Sequence, residues 1–131
     1  MLVINEQVCY WVAARTGGEY YGGGVGIGWV QDGRLIAGAM FDNYNGSTVQ
    51  GHVALDTQIT PRKWLHFCFR YVFDQLKVKK LVGLVDSTNE KAVRYDKHLG
   101  YVLEAVIKNG GRHGDSLIFT MTRDQCRYLK D

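Results

Sequence analysis

Proline is almost missing from this sequence: Pro61 is alone among 131 residues, beside 16 glycines. With 46% hydrophobic and 22% charged positions, the glycine excess belongs to neither a collagen repeat nor a linker. It asks for tight turns and close backbone approaches within one compact domain spanning residues 1–131. Cysteine is scarce too. Cys9, Cys68 and Cys126 are an odd number without a Cys-x-x-Cys pair, which excludes a disulfide scaffold or a zinc knuckle and suits a reducing compartment. No apolar run approaches the roughly 18 residues of a membrane span, and residues 1–6 lack the basic start and long apolar stretch of a secretory signal. A soluble cytoplasmic protein without a membrane partner is expected. Charge of one sign is also lacking: 16 basic against 13 acidic residues leave a net of +3, too weak to name a partner.

The residues present mark a regular order. Residues 5–15 read as a helix with Val8, Cys9, Trp11 and Val12 on one stripe, stopped at Gly17-Gly18. Residues 25–30, 35–41 and 48–56 are strand-like and separated by Asp32-Gly33 and Asn45-Gly46, the pattern of an antiparallel meander. Thr60-Pro61 supplies an N-cap and a first-turn proline for a helix reaching about Leu76, with Trp64, Phe67, Cys68, Tyr71, Val72 and Leu76 at helical spacing. Residues 81–85 form a continuously apolar strand. Ser87-Thr88-Asn89 caps a further helix that runs to Leu99 and stops at Gly100. Residues 101–108 and 117–121 read as a last pair of strands joined by the glycine-rich loop 109–115, and residues 123–129 as a closing helical turn. The order α-β-β-β-α-β-α-β-β predicts an α/β fold of α+β-like character, a mixed sheet with helices on both faces.

Gly22-Gly23-Gly24-Val25-Gly26-Ile27-Gly28 imitates a phosphate cradle. A dinucleotide fingerprint needs glycines at offsets zero, two and five, after a strand and opening a helix. This segment leads into a strand instead, so its glycines read as scaffold.

The run from Asn89 through Ala92 and Tyr95-Asp96 to Leu99-Gly100-Tyr101 resembles the Asn-x-x-Ala … Leu-Gly-Phe/Tyr signature of GNAT-type N-acetyltransferases. Leu103-Glu104-Ala105, Gly114-Asp115 and the stretch 119–123 resemble the closing hairpin of the branch that acetylates ribosomal-protein termini and related amines. Residues 61–129 also resemble small GNAT-like proteins of tailed bacteriophages, which would place the chain in a host bacterial cytoplasm. The resemblance implies a GNAT-like acyltransferase fold, acetyl-CoA as co-substrate, and transfer of an acetyl group to an amine acceptor, protein or small molecule. The alternative is a catalytically silent binding or virion-associated protein of the same fold.

It further implies that strands 48–56 and 81–85 splay apart. Val53, Ala54 and Leu55 would then offer their backbone to the cofactor arm, Gly51 and Ala54 easing the approach, and the pyrophosphate would lie at the helix start near Pro61. The family's Gln/Arg-x-x-Gly-x-Gly/Ala loop is replaced by residues 58–64. Pro61 removes a donor and Trp64 brings bulk, while Thr60, Arg62 and Lys63 offer a hydroxyl and charge. Residues 60–80 hold six cations against one carboxylate, Asp74, as an anion site or a solvated helix face would. No aromatic-basic stacking motif accompanies them, so a nucleic-acid partner is not expected. The resemblance makes Asn89 a cofactor-arm or cap residue and places Arg94 and Lys97 within reach of the adenosine phosphate.

For chemistry, acetyl transfer needs a base that takes a proton from an ammonium. His52 is the first candidate, since histidine titrates near about 6.5, and Asp56 is the second. The proton donor to the departing thiolate is a tyrosine in many relatives. Here that position holds Asp96, with the candidate Tyr95 one residue earlier. Arg112 and His113, on the last loop, are candidates for substrate contact, and Asp115 for fixing that loop. No metal is expected, and oligomeric state is open, a homodimer included.

Overall fold

The computed structural model describes residues 1–129. In chain order these form β1 (Leu2–Ile4), α1 (Glu6–Thr16), β2 (Val25–Gln31), β3 (Arg34–Asp42), β4 (Thr48–Leu55) and α2 (Arg62–Arg70), the last continued by a π-helical turn (Tyr71–Gln75). There follow β5 (Lys80–Asp86), α3 (Glu90–Leu99), β6 (Val102–Ile107), β7 (Ser116–Met121) and a short 3-10 turn (Arg123–Gln125). The strands make one seven-stranded mixed sheet in the order β1-β2-β3-β4-β5-β7-β6.

The predicted α/β architecture holds, with one element added at the start. β1 pairs antiparallel with β2, Leu2 opposite Trp29. Three residues are too few to show a period of two, so this strand exists through its partner alone. α1 follows the cap expected of Asn5, whose Oδ1 accepts from the Val8 N–H at 3.2 Å. It lies so close on the sheet that a Cβ on Gly26 would stand 2.5 Å from the Asn5 carbonyl oxygen. In the 22–28 cluster Gly24, Gly26 and Gly28 therefore serve packing, while Gly22 and Gly23 stand in open space with positive φ.

Two apolar layers flank the sheet. α1 buries Val8, Cys9 and Val12 against Met40 and Ala54. On the other face Trp64, Phe69 and Val72 meet Phe41, Val49, Leu81 and Met121. Trp64 corrects an expectation: its ring is fully buried and its Nε1–H donates to the Ile27 carbonyl at 2.8 Å, so its bulk belongs to the core and not to the approach of an anion. The Thr60 cap is a second correction. Pro61 itself is the N-cap of α2 and no side chain caps that helix.

The functional geometry comes from the middle of the sheet. β4 and β5 run parallel but pair only at Thr48↔Lys80, Val49↔Leu81 and Gln50↔Val82, and beyond these residues they part, as expected. No helix among the described residues is long and apolar enough to cross a membrane.

Candidate active site

Alternation along β4 sorts the predicted residues by face. Ala54 is buried under α1, so His52, two residues before it, opens on the α1 side of the sheet. Val53 and Leu55 open on the other side, where they line a cleft of about 340 Å³ with Lys91, Arg94, Tyr95 and His98 of α3. Of the three residues predicted to carry a cofactor arm, Val53 and Leu55 thus bring side chains to the cleft. Ala54 brings only backbone. Gly51 is not open space either, because a Cβ there would lie 3.2 Å from both Leu81 Cδ1 and Phe41 Cε1.

That cleft continues into a groove. Tyr95 and His98 also line a narrower gap of about 140 Å³ with Thr60, Arg62, His66 and Tyr128. Arg62, His66, His98 and Tyr128 in turn border a groove of about 830 Å³ with Lys63, Phe67, Arg70 and Arg127. The passage is apolar at β4 and strongly basic at its far end, where no carboxylate lines it. Arg62 and Lys63 border it at the start of α2, whose first N–H groups have no side-chain cap. Lys97 is exposed and borders none of these three spaces. Asn89 acts as a cap, its Oδ1 accepting from the Ala92 N–H at 3.2 Å.

His66, His98 and Arg127 were missed by sequence reasoning. His98 lines every part of the passage. The readable signal was its spacing: Lys91, Arg94 or Tyr95, and His98 recur at three to four residues and so share one helical face.

On the α1 side, His52 Nε2 lies 2.9 Å from Asp42 Oδ1, a carboxylate that fixes the ring. Asp56, the other predicted base, is claimed by α1. Arg15 donates to both of its oxygens, at 3.1 and 3.0 Å, and this guanidinium holds the Asp56 carboxyl below its ordinary range. Such a group is a poor proton acceptor and a good tether between α1 and the end of β4.

Two groups flank the opening between β4 and β5 on the helix side. Tyr95 sits on the β4 side, its hydroxyl 3.3 Å from Thr60 Oγ1, and burial raises its ionisation above the usual range. Asp96 sits on the β5 side. A Cβ on Gly83, the first β5 residue past the last β4 pair, would lie 3.5 Å from Asp96 Oδ2. Burial pushes this carboxyl up to about 6, unlike the ordinary carboxylate the sequence suggested.

The loop of residues 109–115 is locked onto the end of β5. Asp86 Oδ2 accepts from the His113 N–H at 2.8 Å and Asp86 Oδ1 from Thr88 Oγ1 at 2.7 Å, donors that hold Asp86 well below the usual carboxylate range. Asp115 takes the fixing role expected of it, its Oδ1 accepting from the Asn109 N–H at 3.0 Å. His113 thus contributes its backbone. Arg112 reaches across to α1: a Cβ on Gly17 would lie 3.7 Å from Arg112 Nη1. Among the described residues no group of three or more His, Cys, Asp or Glu side chains could hold a metal ion.

A mixed seven-stranded sheet of this order, parted between β4 and β5, has the GNAT acetyltransferase fold. Among solved structures, a variant of spermidine N-acetyltransferase SpeG from Vibrio cholerae superposes with a TM-score of 0.76 at 14% identity, over 99% of this chain and 98% of that one. PseH, an N-acetyltransferase of Campylobacter jejuni solved with acetyl coenzyme A, superposes with a TM-score of 0.60 at 16% identity over 76% of this chain and 68% of its own. The ribosomal-protein-S5-alanine acetyltransferase of Vibrio fischeri gives a TM-score of 0.65 at 15% identity over 79% and 64%. The chain spans 62% of the length of a further acetyltransferase neighbour. No family model and no curated protein matches the sequence.

Proposed function

We propose that the chain is an N-acetyltransferase that moves an acetyl group from acetyl-CoA to an amine. The observation that carries this reading is the passage from the cleft at Val53 and Leu55, apolar on its β4 wall and edged by Lys91 and Arg94 of α3, to the basic groove of Arg62, Lys63 and Arg127, which suits a donor with a long neutral arm and a polyanionic end. In the reaction an amine nitrogen attacks the thioester carbonyl, the new C–N bond replaces the C–S bond, the ammonium loses a proton and the thiolate gains one.

The chain's residues divide this work by face. Arg62 and Lys63, with the free N–H groups at the start of α2, hold phosphate oxygens; Arg94 borders the arm. The backbone of β4 beyond Gln50, unpaired with β5, offers hydrogen bonds along residues 53–55. His52, steadied by Asp42, takes the proton on the opposite face. Tyr95 and Asp96 stand at the opening as proton donors for the thiolate, and Asp96 retains its proton nearer neutral pH than an exposed carboxyl does. Holding the two reactants in line supplies most of the acceleration.

Calorimetry with acetyl-CoA tests the reading. Binding that weakens by about tenfold or more between 50 and 500 mM salt is expected, as is further loss in Arg62→Ala with Lys63→Ala. His52→Ala should spare affinity and lower turnover by about a hundredfold. Absence of binding at millimolar acetyl-CoA would remove the proposal.

A further inference from the structure

α1 packs on β2, β3 and β4, and past β4 the same face of the sheet is open. Leu84 of β5 is 48% exposed there, and the row continues through Ile118 of β7 to Ala105 of β6. Gln50 and Val82 stand side by side, so His52 and Leu84, each two residues further, face the same way across the parted strands. The apolar shelf therefore begins at the opening beside His52.

The opening on this face is bounded at its end by three ties. The end of β4 is tied to α1 through Asp56 and Arg15, the end of β5 to the 109–115 loop through Asp86, and Arg112 spans from that loop to Gly17 at the end of α1. The carboxylates around the opening are all engaged, two of them by cations and two by a histidine ring or by N–H and O–H donors. Asp42 faces His52, Asp56 faces Arg15, Asp86 accepts from His113 and Thr88, and Glu104 accepts from Lys80 and Thr120. A second ammonium on the acceptor would have to draw Asp42 from His52 or Asp86 from the 109–115 loop, and would meet the Arg112 guanidinium that lies by Gly17.

We propose that the α1 side of the opening selects an amine carried on an apolar body, with Leu84 as its seat and Arg112 as the group that turns away a second positive charge. The inference rests on the acetyl-transfer reading of the same site. An alkyl or aryl body buries itself on Leu84 and Ile118 while its amine faces His52. A polyamine would leave a charge desolvated on apolar surface, a cost that separates the two classes more sharply than any added contact.

The test compares 2-phenylethylamine with spermidine, by thiol release from acetyl-CoA and by calorimetry of each amine with CoA present. The native chain is expected to favour 2-phenylethylamine in kcat/KM by about tenfold or more. Leu84→Asp and, separately, Arg112→Glu are each expected to cut that ratio by about tenfold, and calorimetry should show the same order of amine affinities. Equal or better use of spermidine, or a ratio unmoved in both variants, overturns the proposal. So does a sedimentation result in which Leu84→Asp splits a dimer and leaves the ratio alone, since the shelf would then be a contact between copies. Failure of the native chain to bind acetyl-CoA at all is a separate result, and it removes the transfer reading along with this one.

Discussion

Replacing Asp96 by asparagine probes the opening between β4 and β5 without touching the sheet. The Asp96 carboxyl and the ring of Tyr101 both lie against Gly83, and burial raises the carboxyl from 3.8 to about 6. Such a displacement makes the ionised form cost about 3 kcal/mol in the folded state. The sign follows from linkage. Below about pH 3 the group is protonated whether the chain is folded or not, and it contributes nothing to the pH dependence. Between about pH 4 and 6 the unfolded chain ionises while the folded chain keeps its proton, so stability falls; above about pH 7 the loss is complete and flat. Asp96→Asn cannot ionise and escapes that fall. Urea unfolding at pH 4, 5, 6 and 7.5 should show the stability of the variant relative to the native protein rising by about 2 kcal/mol between pH 4 and pH 7.5, on top of an offset, equal at every pH, for exchanging a buried acid for a buried amide. Every other titrating group cancels in the difference. A difference between the two proteins that stays constant from pH 4 to 7.5 would refute the argument that Asp96 is held protonated by burial.

Asp42→Asn leaves the bond to His52 sterically possible but removes the charge that orients the ring, so kcat should fall by about tenfold with acetyl-CoA affinity unchanged, read from thiol release and calorimetry together. Trp64→Phe deletes the donor to the Ile27 carbonyl and opens a void in the core, costing about 2–4 kcal/mol by urea unfolding; a loss below about 0.5 kcal/mol would show that the indole is not what joins α2 to β2.

Elements whose order follows from period and turn chemistry were legible in the sequence. The meander declared itself through Asp32-Gly33 and Asn45-Gly46, and α3 through the Asn89 cap and Gly100, because these signals act within a few residues. What stayed hidden depends on contacts distant in sequence. β1 exists only against β2, and the end of the second helix becomes a π-helical turn in which the Leu76 N–H donates to the Tyr71 carbonyl at 2.9 Å. Thr60 has the chemistry of an N-cap and instead faces Tyr95, 35 residues away. Trp64 looked like an obstacle to phosphate because its depth cannot be read from its neighbours in the chain. The site followed the same division: His52, Arg62 and Lys63 were visible by residue type and place, whereas His98 and Arg127 acquire meaning only when α3 and the chain end meet beside α2.

The parting of β4 and β5 has a cause in the strands' other neighbours. β4 stays paired with β3 as far as Leu55, opposite Ala37, and Arg15 pins Asp56 beyond it to α1. β5 stays paired with β7 as far as Asp86, opposite Ser116, and Asp86 is then consumed by the 109–115 loop. Each strand is committed on its far side to its very end, so the right-handed twist between neighbours accumulates in the one pairing left unsupported. Val82 and Leu84 share one face while Gly83 turns the other way toward Asp96, so nothing bulky fills the gap from the helix side at the first unpaired position. The cleft is therefore present before any ligand arrives, and its backbone groups are held in place by two strands that have no freedom to close on each other. On the proposed acetyl transfer the same commitment separates the reactants. A donor arm that lies beside Val53 and Leu55 approaches from the face of α2 and α3, an amine beside His52 and Leu84 approaches from the face of α1, and the two can meet only at the level where Gln50 and Val82 cease to pair.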